Sequence, residues 1–356
     1  MSNSTDTYHK QGRRWGISIT IWLLLVLSAV MLVSGCGKEN QTSEFDFQIL
    51  DLNKTQLQAV DLYVDAEMHV ELEENQQAIE KLNAAVGLND RFSLAFSLLG
   101  ELYQQQKEYE KSAASYEKAT ELNPWSFKDY FNLGRVYEVM ERFTRAVQAY
   151  VRACELKPDH LESHIGAANS YYKILNYEQA LIYGKRAEAI DPNVGELQKV
   201  LGDIYESQKD HEQAISAYKR ALEIDSNNTE IMTSLAVTYL RTNLNEPAKE
   251  LLTLTTQAEP ENNDAYKYLG YCYLKLENLD SAIENYLRAI EIKDDDWDAR
   301  RGLGVAYILK GKTDDDSIEP DLKAKAIMQW RKSLEINPNQ PNHERLLRLM
   351  KKYSQK

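Results

Sequence analysis

The residue best placed to do chemistry is Cys36. It closes the run Val33-Ser34-Gly35-Cys36, directly after an uncharged stretch from Ile17 to Val33. A thiol at that junction supplies a nucleophile, and the small Ser34 and Gly35 suit a narrow protease cleft. Lys10, Arg13 and Arg14 precede the apolar run, the layout of a secretory signal. The run is close to the lower limit for crossing a bilayer. Its length therefore leaves two readings open, a cleaved signal and a retained anchor.

The other reactive side chains are scattered. Six histidines include one close pair, His160 and His164, with no third ligand at metal spacing. The runs Asp294-Asp295-Asp296 (with Asp298) and Asp314-Asp315-Asp316 lack the central glycine and closing glutamate of a calcium loop. They read as solvated turns whose aspartates cap helices. Cys154 and Cys272 read as buried free thiols. There is no glycine-rich phosphate loop and no serine nucleophile elbow. Carboxylate pairs lie on helices with no pocket to desolvate them. No cofactor, metal or enzymatic activity is expected. With 42 Lys+Arg against 55 Asp+Glu, the net charge of −13 repels a phosphate backbone, so nucleic acid is not an expected partner.

The elements that must carry these residues repeat every 34 positions. Ala66, Gly100, Gly134, Ala168, Gly202, Ala236, Gly270 and Gly304 form one small-residue series. Three residues after each come His69, Tyr103, Tyr137, Tyr171, Tyr205, Tyr239, Tyr273 and Tyr307. Two further small series run Ala78, Ser112, Ala146, Ala180, Ala214, Ala248, Ala282 and Ala85, Ala119, Ala153, Ala187, Ala221, Thr255, Ala289. Between them lie Leu82, Tyr116, Tyr150, Tyr218, Leu252 and Tyr286, with Gly184 the exception. The spacing places the first set within one turn of a first helix and the second set on one face of a second helix. Small residues let the helices approach, large ones fill the space beside them, and Pro124, Pro158, Pro192 and Pro260 stop the second helix. One pair cannot cover its own apolar face, so neighbouring pairs must stack.

This pattern closely resembles the tetratricopeptide repeat, over about residues 59–340. The resemblance implies an all-α, right-handed α-solenoid of about eight helix-turn-helix units. The family's first-helix aromatic is matched by Tyr130 and Tyr266 but not by Gln198, Met232 or Arg300. After Tyr307 the pattern resumes ten residues late at Ala326, Trp330, Ser333 and Pro338, placing an acidic insertion near 312–322. Residues 341–356 form a C-terminal amphipathic helix in this reading, with Leu346, Leu347, Leu349 and Met350 covering the last unit.

The segment around Cys36 closely resembles the bacterial lipoprotein box. That implies a signal peptide over 1–35, lipid attachment at Cys36 and a polar tether over 36–58. It also implies a lipid-anchored protein of the cell envelope, with Gly37 favouring the outer membrane, facing the periplasm, in a diderm source. Buried acyl CH₂ groups, at about 0.8 kcal/mol each, hold such a protein at the membrane.

In the repeat family the first helices line a concave groove that binds an extended peptide or a partner helix. By phase, Phe131, Arg135, Asn169, Tyr172, Lys173, Lys199, Tyr271 and Lys275 lie there, together with Glu138, Asp203, Glu206, Arg241, Lys267 and Arg301. Aromatic and charged side chains together suit peptide capture. Asn169 and Lys173 match part of the family's carboxylate-binding set, which the succeeding units do not complete. The expected function is a membrane-anchored scaffold that binds partner proteins in cell-envelope, secretion or pilus assembly. The alternatives are a self-associating structural solenoid and an accessory subunit of an envelope enzyme.

Overall fold

The structure, a computed structural model, describes residues 54–313 and 317–354. The apolar run, Cys36, most of the tether and Asp314 to Asp316 lie outside the described residues. Helices α1 (Lys54–Glu71) and α2 (Asn75–Leu88) form the first pair, α3 (Ser93–Gln105) and α4 (Tyr109–Leu122) the second, and α5 (Phe127–Val139) and α6 (Phe143–Leu156) the third. Then come α7 (Leu161–Lys173) with α8 (Tyr177–Ile190), α9 (Gly195–Ser207) with α10 (His211–Ile224), and α11 (Thr229–Arg241) with α12 (Asn245–Ala258). Helices α13 (Asn263–Lys275) and α14 (Leu279–Ile292) make the seventh pair, and α15 (Trp297–Lys310) and α16 (Pro320–Ile336) the eighth, followed by α17 (His343–Ser354). Because α1 starts at Lys54, the end of the expected tether is helical. The described fold is an all-α solenoid.

The first seven pairs close the same way. In the second, Lys107 takes a left-handed φ of 61°, Lys107 N–H donates to Gln104 O at 3.0 Å and Glu108 N–H to Tyr103 O at 2.9 Å. These two bonds satisfy carbonyls that the helix end leaves free. Glu73, Glu141, Leu175, Lys209, Asn243 and Glu277, at 34-residue intervals, share this conformation, and the carbonyl of the recurrent tyrosine accepts the closing bond in most pairs. Non-glycine residues strain in this region by about 1–2 kcal/mol, which the regular turn overrides. The eighth position, Gly311, has instead a φ of −81°. There the chain lengthens, with Lys312 and Ile318 bridging the base of the longer connection. The ten-residue delay is shared out, because α15 and α16 are 14 and 17 residues long against 13 and 14 in an ordinary pair.

The two helices of a pair meet by matched volumes. A Cβ on Gly100 would lie 2.8 Å from the Tyr116 ring, on Gly202 2.5 Å from Tyr218, and on Gly304 2.2 Å from Trp330. Where the facing residue is Leu82 or Leu252, the small residue is Ala66 or Ala236 instead. In the fourth pair Ala168 faces Gly184, and the space is filled by Leu201 of the next unit, 2.8 Å from where a Cβ on Gly184 would stand. Complementary packing of this kind is what close-packed interiors demand.

Adjacent pairs are joined by turns whose carbonyls are satisfied in two ways. His164 Nε2 donates to Pro158 O at 2.9 Å, Gln198 Nε2 to Pro192 O at 2.9 Å, and Arg300 Nη2 to Asp294 O at 2.6 Å. These are the 34-spaced positions where the family's aromatic is missing. Where Tyr130 and Tyr266 keep it, an arginine from the second helix of the same pair reaches the corresponding carbonyl: Arg152 to Pro124 O at 3.3 Å and Arg288 to Pro260 O at 3.4 Å. Three departures from the aromatic pattern, His164, Gln198 and Arg300, thus seal the turn from within, since a buried carbonyl without a donor costs about 1–3 kcal/mol; the fourth, Met232, accepts instead from Thr255.

The hydrophobic core runs along the chain as successive clusters, and from the third pair onward neighbouring clusters share residues. Leu181 packs against two of them, as do Tyr273 and Tyr307. The last cluster buries Trp330 and Leu346, with Leu349, Met350 and Tyr353 of α17 against it. Leu347, expected to join this cover, is 41% exposed; the burial of Leu346 turns its neighbour outward.

Candidate protein-binding groove

The first helices of the pairs present the side chains that the repeat phase assigns to one face. On α5 the Phe131 ring lies 6.1 Å from Phe127 and 4.8 Å from the His160 ring, with the Arg135 guanidinium 5.9 Å over it. One unit on, Asn169 Nδ2 donates to Glu138 at 2.5 Å, and Glu138 also accepts from the Tyr150 hydroxyl at 2.8 Å. The Lys173 ammonium lies 5.9 Å from the Tyr172 ring, and Lys275 lies 5.5 Å from Tyr271. Such contacts contribute about 0.5–1 kcal/mol at exposed sites and hold the rings presented to solvent.

Two clefts open on this face. One, of about 370 Å³, is lined by Tyr172, Asp203, Glu206, Arg241, Asp264 and Tyr268. The other, of about 730 Å³, lies between α13, α15 and α17 and includes Tyr268, Tyr271, Lys275, Arg301 and Arg345. Tyr268 lines both, so they form one continuous surface. Both sizes fall near the range of ligand pockets, about 300–1,000 Å³. Of the expected residues, the structure gathers Tyr271 and Lys275 in the larger cleft with Lys267 and Arg301, and places Tyr172 in the smaller. Phe131 and Arg135, on an earlier unit, and Asn169 and Lys173, on the same helix as Tyr172, line neither.

Lys199 has a different environment. Its ammonium lies 3.1 Å from Asp203 and 2.7 Å from Glu230 of the next unit. Burial would lower its pKa, but those two carboxylates hold it above the ordinary lysine value. It acts as a strut between units. Glu206 is similar, bonded to Arg241 of the following unit and 2.9 Å from His211.

Reading first helices alone missed a set of groove residues. The Tyr218 hydroxyl, from a second helix, passes the gap over Gly202 and donates to Asp203 at 2.6 Å, and Tyr218 lines the smaller cleft. Tyr286 packs under Gly270 and Gly302 and lines the larger cleft. The signal was present in the pairing of each glycine with a tyrosine sixteen residues later. Tyr268, Arg345 and Leu346 were also missed; the last two arrive only because α17 docks.

The remaining candidates have structural roles. His160 caps α7 by accepting from Ser163 N–H at 3.2 Å. Burial between Phe127 and Phe131 lowers its pKa. Asp296 caps α15, accepting from Asp298 and Ala299 N–H at 3.0 and 2.9 Å. Cys154 and Cys272 are buried and free, and burial pushes their thiols up to about 12 and about 11, away from reactive thiolate. Among the described residues no cluster of three metal-binding side chains occurs, and no helix is long and apolar enough to cross a membrane.

Comparison with known proteins agrees with this geometry. A tetratricopeptide repeat family model matches residues 93–124, a second matches 131–195, and the cytochrome c-type biogenesis protein H TPR domain matches 199–303. No curated protein matches the sequence. Among solved structures, the fold resembles the APC/C hetero-tetramer Cut9-Hcn1, at 15% identity and TM-score 0.55 over 85% of this chain and 57% of that one. It also resembles Pseudomonas aeruginosa pilF, at 19% identity and TM-score 0.51 over 59% of this chain and 96% of that one. A tetratricopeptide repeat protein from Parabacteroides merdae gives 13% identity and TM-score 0.51 over 70% and 99% of the two chains.

Proposed function

We propose, for a chain that carries tetratricopeptide repeats between residues 93 and 303, that the first-helix face is a docking surface for protein partners. The observation that carries this is the continuity of the two clefts through Tyr268. Together they run across five successive units and offer aromatic rings, hydroxyls and charges in alternation, the mixture that favours capture of an extended segment. Conserving the repeat geometry keeps these groups in fixed register, so binding does not require the scaffold to reorganise.

A photoreactive residue placed at Tyr172 or Tyr271 of the full-length protein tests the surface. Crosslinks to partner proteins are expected from these positions and not from Ile182 or Leu287, which are exposed on second helices. Equal crosslinking from both sets would move the binding surface elsewhere.

We further propose that the scaffold is held at a membrane of the cell envelope by lipid on Cys36, and that it serves envelope, secretion or pilus assembly. The support is the basic segment, the apolar run and the Val33-Ser34-Gly35-Cys36 box in sequence. Cys36→Ala is expected to abolish acylation and to leave the longer precursor; normal processing of that variant would defeat the anchor.

A further inference from the structure

We infer that the larger cleft takes an acidic segment carrying an aliphatic or aromatic anchor. This rests on the docking-surface reading and names the chemistry of the partner. The cleft is lined by Lys267, Lys275, Arg301 and Arg345 against one carboxylate, Asp298. Two of these cations are already neutralised. Lys267 is bonded to Asp264 and lies 3.7 Å from Asp296, and Arg301 lies 2.5 Å from Asp298. Lys275 and Arg345 have no carboxylate partner among the described residues. In a chain of net charge −13, two cations without acids beside an apolar floor mark a place for an external anion.

The floor between them is apolar. Leu274, Val305, Leu309, Leu346 and Leu349 line it, brought together because α17 lies across the last pair. A purely ionic ligand would leave this floor wet, whereas an apolar side chain flanked by carboxylates would satisfy both parts. The acids of the adjoining cleft, Asp203, Glu206 and Asp264, are already paired with Lys199, Arg241 and Lys267. The unpaired charge of the surface therefore lies toward α17, so an extended segment has one favourable direction, its acidic part toward α17.

The test uses the full-length protein in a non-ionic detergent. The probe is a fluorescent peptide alternating Asp or Glu with Leu and Phe, both ends blocked, followed by fluorescence anisotropy. Saturable binding is expected. Replacing the acids by Asn and Gln should weaken it about tenfold or more, as should Lys275→Ala with Arg345→Ala. Both side chains are exposed and unpaired, and circular dichroism checks that helicity is kept. Lys275→Glu with Arg345→Glu should transfer preference to a Lys analogue of the peptide. A peptide with a free C-terminus should bind like the blocked one; a tenfold gain would assign the cleft to a terminal carboxylate and overturn the proposal. Absence of binding, or equal affinity for acid and amide peptides, overturns it as well. Crosslinking from Tyr172 that persists without peptide binding sinks this inference alone, while peptide binding without any crosslinked partner sinks the docking-surface reading instead.

Discussion

His160 shows how one side chain serves the array. Its ring packs edge-on against Phe127 and Phe131, and its Nδ1 caps α7. The cap requires the neutral imidazole, since a protonated Nδ1 cannot accept, and desolvation lowers its pKa below the ordinary 6.5. A histidine lowered in the folded state binds fewer protons folded than unfolded, so stability rises with pH across that interval. The contribution is complete above about pH 6.5 and is lost as pH falls from there through the folded pKa. His160→Asn keeps a capping oxygen without the titration. Urea midpoints measured from pH 7.5 to 5 should fall less steeply for the variant than for the parent; identical slopes would remove His160 from the account. Both histidines of the close pair bond their neighbours: one ring caps a helix and the other, His164, bonds Pro158 O at 2.9 Å.

At the scale of the helix pair, the governing interaction is the fit between a small residue on the first helix and a large one on the second. Gly100 and Tyr116 isolate it well, because the Tyr116 side chain is fully buried with its ring under Gly100. Gly100→Ala places a methyl against the ring and should cost about 1–3 kcal/mol. Tyr116→Leu leaves a void and should cost a similar amount. The double variant recreates the Ala–Leu match seen at Ala66 and Leu82, so its loss should be smaller than the sum by about 1 kcal/mol or more. Chemical denaturation of the four proteins gives the coupling, and strict additivity would refute the matched-volume account. Each series was visible in the sequence, yet their correlation emerges only when the pair is seen in contact. Periodicity reports which face a residue occupies, and the residue opposite is set by packing.

Across the whole described array, each unit rests mainly on its neighbours, so damage should stay local. Removing residues 342–356 uncovers Trp330, now 1% exposed, and deletes Arg345, Leu346 and Leu349 from the larger cleft. Hydrogen exchange should quicken in α15 and α16 and change little in α3 to α8, and a uniform increase along the array would contradict a solenoid of nearest-neighbour contacts. The same variant should lose the acidic peptide.

What the amino-acid order determined alone was the period, the helix pairs, the late eighth unit and the face on which Phe131, Tyr172 and Tyr271 stand. These are local properties, repeated at fixed spacing, and a helix of 3.6 residues per turn converts spacing into face directly. The tertiary structure decided which of those groups are free. Lys199 and Asn169 looked like groove contacts, but each meets a carboxylate 31 residues away in the adjoining unit, Glu230 and Glu138. Lys275 and Arg345 stay unpaired at the end of the array. Whether a charge is available depends on what lies within a few ångströms of it, and here that distance is set by how units stack and by where α17 comes to rest.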